Sequence, residues 1–147
     1  IQPDFIRVHA TGIKLESKLG EFVRDGSFTL QSEEEIVIEQ KLFLQQLHEM
    51  DSYYVNEHIV NLLLEIRGNL RTEKQEMLST IDRFLTLPPD ERLLFTVGRR
   101  LNIFFRLDDL KKPKLYQKAG ESLQQILSKN PHVDFAALCN YVRQSQI

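Results

Sequence analysis

The chain has one cysteine, no tryptophan, six glycines and five prolines in 147 residues. A lone thiol excludes an intrachain disulfide framework and a thiolate-rich zinc cluster. So little glycine and proline excludes a collagen-like or low-complexity chain. No apolar run approaches the roughly 20 residues a membrane-spanning helix needs, so no membrane contact is expected. The glycines are isolated, and no Gly-x-x-x-x-Gly-Lys-Ser/Thr loop is present to cradle phosphate.

Motifs for chemistry are equally scarce. The four histidines, at 9, 48, 58 and 132, form no His-Glu-x-x-His pattern. His48-Glu49 lacks the second histidine, and His58 reads as a solvated imidazole. Cys139 falls between Ala137 and Tyr141 on an apolar helix face and reads as a buried structural thiol. Asp108 and Asp109, side by side, are expected to cap or to be solvated. No constellation for acid–base or nucleophilic catalysis emerges, so the chain reads as non-catalytic, with no cofactor and no metal.

What is present suits one folded domain. Hydrophobic residues make up 41% of the chain, nine of them Phe, which argues against disorder. The chain opens Ile1-Gln2-Pro3 without Met and without a basic stretch leading into an apolar one. It reads as a piece of a larger intracellular protein, nuclear or cytoplasmic. The net charge of −2 hides a division. Residues 1–90 hold nine bases against sixteen acids, net −7. Residues 91–147 hold ten bases against five acids, net +5. Eight of those ten bases fall between Arg92 and Lys118.

The apolar spacing is mostly helical. In residues 1–31, an N-terminal extension, Ile6, Val8 and Ala10 alternate too briefly to define a strand. Leu15, Leu19, Phe22 and Val23 suggest a short helix stopped at Asp25-Gly26, with a hairpin there as the competitor. Residues 32–147 form the helical domain. Ser32-Glu33-Glu34-Glu35 is a capping box that opens a helix to about Met50. Its apolar residues fall on two sides, with Ile38 and Leu42 opposite the rest. Val55, Ile59, Leu62, Leu63, Ile66 and Leu70 make one stripe and predict a central helix over about 52–70. Thr72-Glu73-Lys74-Gln75 is a second capping box, and Leu87-Pro88-Pro89 ends the helix after it. Further helices are expected from Pro89 to about Leu107, after Pro113, and after Asp134. Short connections make neighbours antiparallel. The fold class expected is all-α, with six or seven antiparallel helices in a bundle or a short HEAT/armadillo-like solenoid. Helix starts near 33, 73 and 113 give the solenoid its rhythm.

The segment 89–107 carries the functional expectation. Arg92, Arg99 and Arg106 recur every seven residues opposite its apolar face. Asn102 joins them, with Phe95 and Ile103 on the same outer side. Lys111, Lys112, Lys114 and Lys118 come next along the chain. Such a stripe has three readings. Another element covers the apolar pair while the arginines snorkel. Alternatively, apolar anchors inside a basic rim bind an acidic or amphipathic partner helix. Or the bases contact phosphates and Phe95 stacks, which the pI near 6.1 disfavours. The expected function is a protein–protein interaction or scaffold domain using Arg92, Phe95, Arg99, Asn102, Ile103 and Arg106. The alternative is an RNA- or DNA-binding module using the basic 92–118 region. A homodimer is a further way to cover surplus apolar surface. Gly98, inside this helix, predicts close approach of a neighbour.

Overall fold

A computed structural model describes residues 3–48 and 50–146. Glu49, beside His48, lies outside the described residues, as do Ile1, Gln2 and Ile147. The order is β1 (Phe5–Arg7), α1 (Lys18–Arg24), α2 (Glu33–Gln46), β2 (Tyr53–Val55), β3 (Arg67–Asn69), α3 (Lys74–Leu85), α4 (Pro89–Arg100), a 3-10 turn (Leu107–Lys111), α5 (Pro113–Lys129) and α6 (Phe135–Gln144). The strands form one small mixed sheet in the order β1-β2-β3. β1 runs parallel to β2, and β3 antiparallel to it.

The all-α expectation is therefore corrected: among the described residues six helices stand beside a three-stranded sheet, neither a pure antiparallel bundle nor a HEAT-like stack. The error lies in residues 52–70, where β2, a loop and β3 replace the predicted central helix. Side-chain amides explain it. The Asn56 amide donates to Leu63 O at 2.7 Å, and the Asn61 amide donates to Val8 O at 2.7 Å and Asn56 O at 3.1 Å. Asparagine that takes over backbone bonding in this way competes with a helix. The apolar residues are buried as their hydrophobicity requires: Leu62, Leu63, Ile66 and Leu70 are all in the core. Periodicity reported burial here and misassigned the element. Tyr54 and Asn61, outside that apolar stripe, are buried too.

Elsewhere the local signals hold in part. Ser32 Oγ accepts from Glu35 N, and Glu35 accepts in return from Ser32 N at 2.7 Å, completing the capping box. The second expected box does not form. Glu73 is the N-cap of α3, with no side-chain cap bond, and its carboxylate accepts from Asn69 N instead. α1 ends at Asp25, with Gly26 next at φ +79°, so the competing hairpin is not what forms. Asp134 caps α6.

The helix expected over 89–107 stops at Arg100. Asn102 adopts φ +57°, the left-handed conformation Asn tolerates. Ile103 N–H then donates to Gly98 O at 2.8 Å and Asn102 N–H to Arg99 O at 3.1 Å, a Schellman closure. The chain doubles back and sends Ile103 and Phe104 into the core. A Cβ on Gly98 would lie 2.4 Å from the Phe104 ring and 3.2 Å from Ala119, so the close approach predicted at Gly98 is real. α4 packs on α5, and α2 on α3.

Candidate functional site

The residues expected to form an outward face on α4 turn inward. Phe95 is 0% exposed and Ile103 7%. Phe95 stacks on Phe104 at 5.9 Å and tilts against Phe84 at 5.8 Å. Every residue from Leu94 to Arg100 is buried, so α4 is the central helix of the fold. The docking face built on Phe95 and Ile103 is corrected: both belong to the core. The first of the three readings holds for the apolar pair, but not for the arginines beside it.

Arg99 is wholly buried and does not snorkel. Its Nη2 donates to Ile59 O at 2.9 Å and Asn61 O at 3.2 Å, and its guanidinium lies 5.7 Å from the Phe105 ring centroid. Burial pulls its pKa down to about 10, with neighbouring Arg100 adding to the fall and Glu33 opposing it. Arg92 pairs with Glu34 and donates to Leu85 O and Leu87 O, closing the end of α3. Lys111 pairs with Asp108 and Lys112 with Asp109. Asn102, Arg106, Lys114 and Lys118 are exposed. The basic stretch of 92–118 is thus dispersed between interior contacts, local ion pairs and solvent. Asp109 caps as expected, accepting from the amides of Phe105 and Arg106. Burial opposes its ionisation, but bonds from Lys112 and those amides outweigh burial and hold the carboxyl below its ordinary value.

Two arrangements have no motif in the sequence to announce them. The first is a buried charge cluster. Glu33, the first residue of α2, accepts from Arg100 Nε at 3.0 Å, Arg100 Nη2 at 2.6 Å and Arg143 Nη1 at 2.8 Å. One carboxylate therefore joins α2, α4 and α6. Arg143 is 2% exposed, and burial, the main cause, holds its pKa below the usual value. Cys139 lies in the same cluster, its thiol pushed up to about 12 by burial and by Glu33, so it is inert at neutral pH. The only sequence signal is that Arg143 falls four residues after Cys139, on the face assigned to the core.

The second is the N-terminal arm. Asn61 holds Ala10 N and Val8 O, while Asn140 clamps Ile13 from both sides, its Oδ1 accepting from Ile13 N at 2.8 Å and its Nδ2 donating to Ile13 O at 3.0 Å. These clamps fix residues 8–13 against the 56–66 loop and α6. Between arm and helices lies a cavity of about 350 Å³ lined by Val8, Ile13, Phe28, Ile36, Leu62 and Arg143, among others. Beyond Ile13 the arm stands away from the core. Leu15, Leu19, Phe22 and Phe28 are exposed, and so are Ile38, Leu42 and Phe43 on α2. The second side of α2, for which the pattern asks a cover, has none in the monomer.

The rings of His9 and His58 lie 4.2 Å apart, tilted by 30°, where the arm meets the 56–66 loop. Desolvation, then His58 and Arg7, lower the His9 pKa. Among the described residues no group of three His, Cys, Asp or Glu is placed to hold a metal ion, and no helix is long and apolar enough to cross a membrane. No protein-family model, curated protein or solved structure matches the chain.

Proposed function

We propose that this chain is a non-catalytic protein–protein interaction domain that docks a basic, amphipathic helix on the outer face of α2 and the adjoining arm. The observation that carries the reading is the exposure of Ile38 and Leu42, 40% and 55%, one helical turn apart on a well-formed helix. Large apolar side chains left together in water mark interaction surfaces more often than they mark accidents. Leu15, Leu19, Phe22 and Phe43 extend the exposed apolar set.

The partner's chemistry is set by the residues flanking the stripe. Glu35 and Glu39 are exposed beside Ile38 and Leu42, and the half of the chain that carries them is net −7. On α2 the apolar pair flanked by acids complements a helix with leucines on one face and Lys or Arg at its edges, while the arm beside it carries both signs, Lys14, Lys18 and Arg24 with Glu16 and Glu21. An acidic partner, the expectation built on α4, is disfavoured because most of its basic contacts are engaged within the fold.

The test uses a synthetic helix with Leu at i, i+4 spacing flanked by Lys, and its twin with Glu in place of Lys. The Lys peptide binds, the Glu twin binds at least about tenfold more weakly, and Ile38→Ser with Leu42→Ser removes about tenfold or more from the Lys peptide's affinity. Equal binding of both peptides, or no effect of the double substitution, contradicts the reading. A dimeric mass by sedimentation that reverts to monomer in the double variant would assign the face to a second copy instead.

A further inference from the structure

The cavity under the arm holds an observation that the docking face does not use. Glu33 is the one carboxylate among three buried guanidiniums, those of Arg99, Arg100 and Arg143. Nε and Nη1 of Arg99, Nη1 of Arg100 and Nε of Arg143 are buried without hydrogen-bond partners. Buried cationic donors left unpaired are costly, and the cost is relieved by an anion. Of the three, Arg143 lines the cavity of about 350 Å³.

Of the other polar groups in the wall, which include His9, Thr11, Gln31 and Glu39, the amides of Gln40 and Asn61 are already engaged. Gln40 Nε2 donates to the Tyr54 hydroxyl at 2.9 Å. The Asn61 amide is spent on Val8, Ala10 and Asn56. Arg143, held by Glu33 through Nη1 but with Nε unpartnered, supplies the cationic group, and Val8, Ile13, Phe28, Ile36, Val37 and Leu62 supply an apolar lining. Glu39 also lines the cavity and disfavours a second negative charge. A volume of this size falls in the range of small-molecule sites.

We infer that this cavity binds a small amphiphile, an apolar chain ending in a single carboxylate, with the head at Arg143 and the chain between the arm and α2. A multiply charged phosphate would find one guanidinium already shared with Glu33 and a rim acid, and a neutral chain would leave Arg143 Nε without a partner.

The test is thermal melting and calorimetry of the whole chain with octanoate, octanol and acetate as probes. Octanoate at saturation raises Tm by about 4 °C or more, while octanol and acetate give less than about a quarter of that shift. Ile36→Phe fills the cavity and leaves Glu33 and its arginines intact, so the octanoate shift disappears. Arg143→Gln also abolishes it. Because Arg143 braces Glu33, Ile36→Phe decides if that variant does not fold, and the octanoate-to-octanol contrast in the unaltered chain decides without either. Octanol matching octanoate, or a shift that survives Ile36→Phe, overturns the site. Neither variant touches Ile38 or Leu42, so this result and the peptide result stand apart.

Discussion

α2 and α4 carry similar lengths of helix and meet opposite fates. α4 is sealed from Leu94 to Arg100, with two arginines among its buried residues, while α2 shows Ile38 and Leu42 to solvent. By pattern the roles should be reversed, since α4 carries the basic stripe and α2 the capping box. The difference comes from the chain that adjoins each helix. After α4 the chain reverses at Asn102 and folds Ile103 and Phe104 back over Phe95. Ahead of α2 the side-chain clamps on the arm end at Ile13, and Leu15, Leu19, Phe22 and Phe28 stay exposed, as do Ile38 and Leu42. Whether a helix is interior depends on the returning chain as much as on its own stripe.

The sharpest way to break the comparison is at the charge cluster that locks α2 to α4. Glu33→Ala leaves Arg100 and Arg143 buried without their carboxylate, and it is expected to cost about 3–5 kcal/mol in urea unfolding. A loss under about 1 kcal/mol would mean the cluster is open to water. Next comes the contrast itself. Phe95→Ala removes a core ring stacked on Phe104 and should cost about 3–5 kcal/mol. Leu42→Ser, on the exposed side of α2, should stay within about 0.5 kcal/mol. Equal costs would erase the distinction between the two helices. Asn140→Ala removes both bonds to Ile13 and should cost about 1–3 kcal/mol, with faster amide exchange confined to residues 8–13.

The smallest effect expected is one of pH. His9 has a folded pKa below the ordinary 6.5, so the unfolded chain binds its proton more readily. Its contribution to stability is present above 6.5 and is lost as pH falls through the lower folded value. Tm should therefore fall slightly on acidification below about 6.5, and His9→Gln should flatten that slope. An unchanged slope would place the titration elsewhere.

Much of the helical skeleton is legible in the sequence because its signals are local. Ser32, Pro89, Pro113 and Asp134 each mark a start within a residue or so of where a helix begins. The sheet is not legible. Its strands have three residues each, too short for alternation to register, and β1 reaches its partner across more than forty residues. The 52–70 segment misleads because a buried loop and a buried helix share the same apolar content. The site shifts for a related reason. One left-handed residue, Asn102, breaks the helical phase that places Phe95 and Ile103 on one outer face. Glu33 reads from the pattern as one of three first-turn acids at a helix N-terminus, and only the packing of α4 and α6 makes it interior. Of the surplus apolar surface expected on two helices, the part on α4 is core and the part on α2, Ile38 and Leu42, is exposed.

The most direct test of that relocation is hydroxyl-radical footprinting of the phenylalanines, read by mass spectrometry with and without the Leu/Lys peptide. Phe22, Phe28 and Phe43 should label readily while Phe95 and Phe104 stay silent, and the peptide should protect the exposed set. Labelling of Phe95 as fast as Phe43, or an exposed set indifferent to the peptide, would contradict the account.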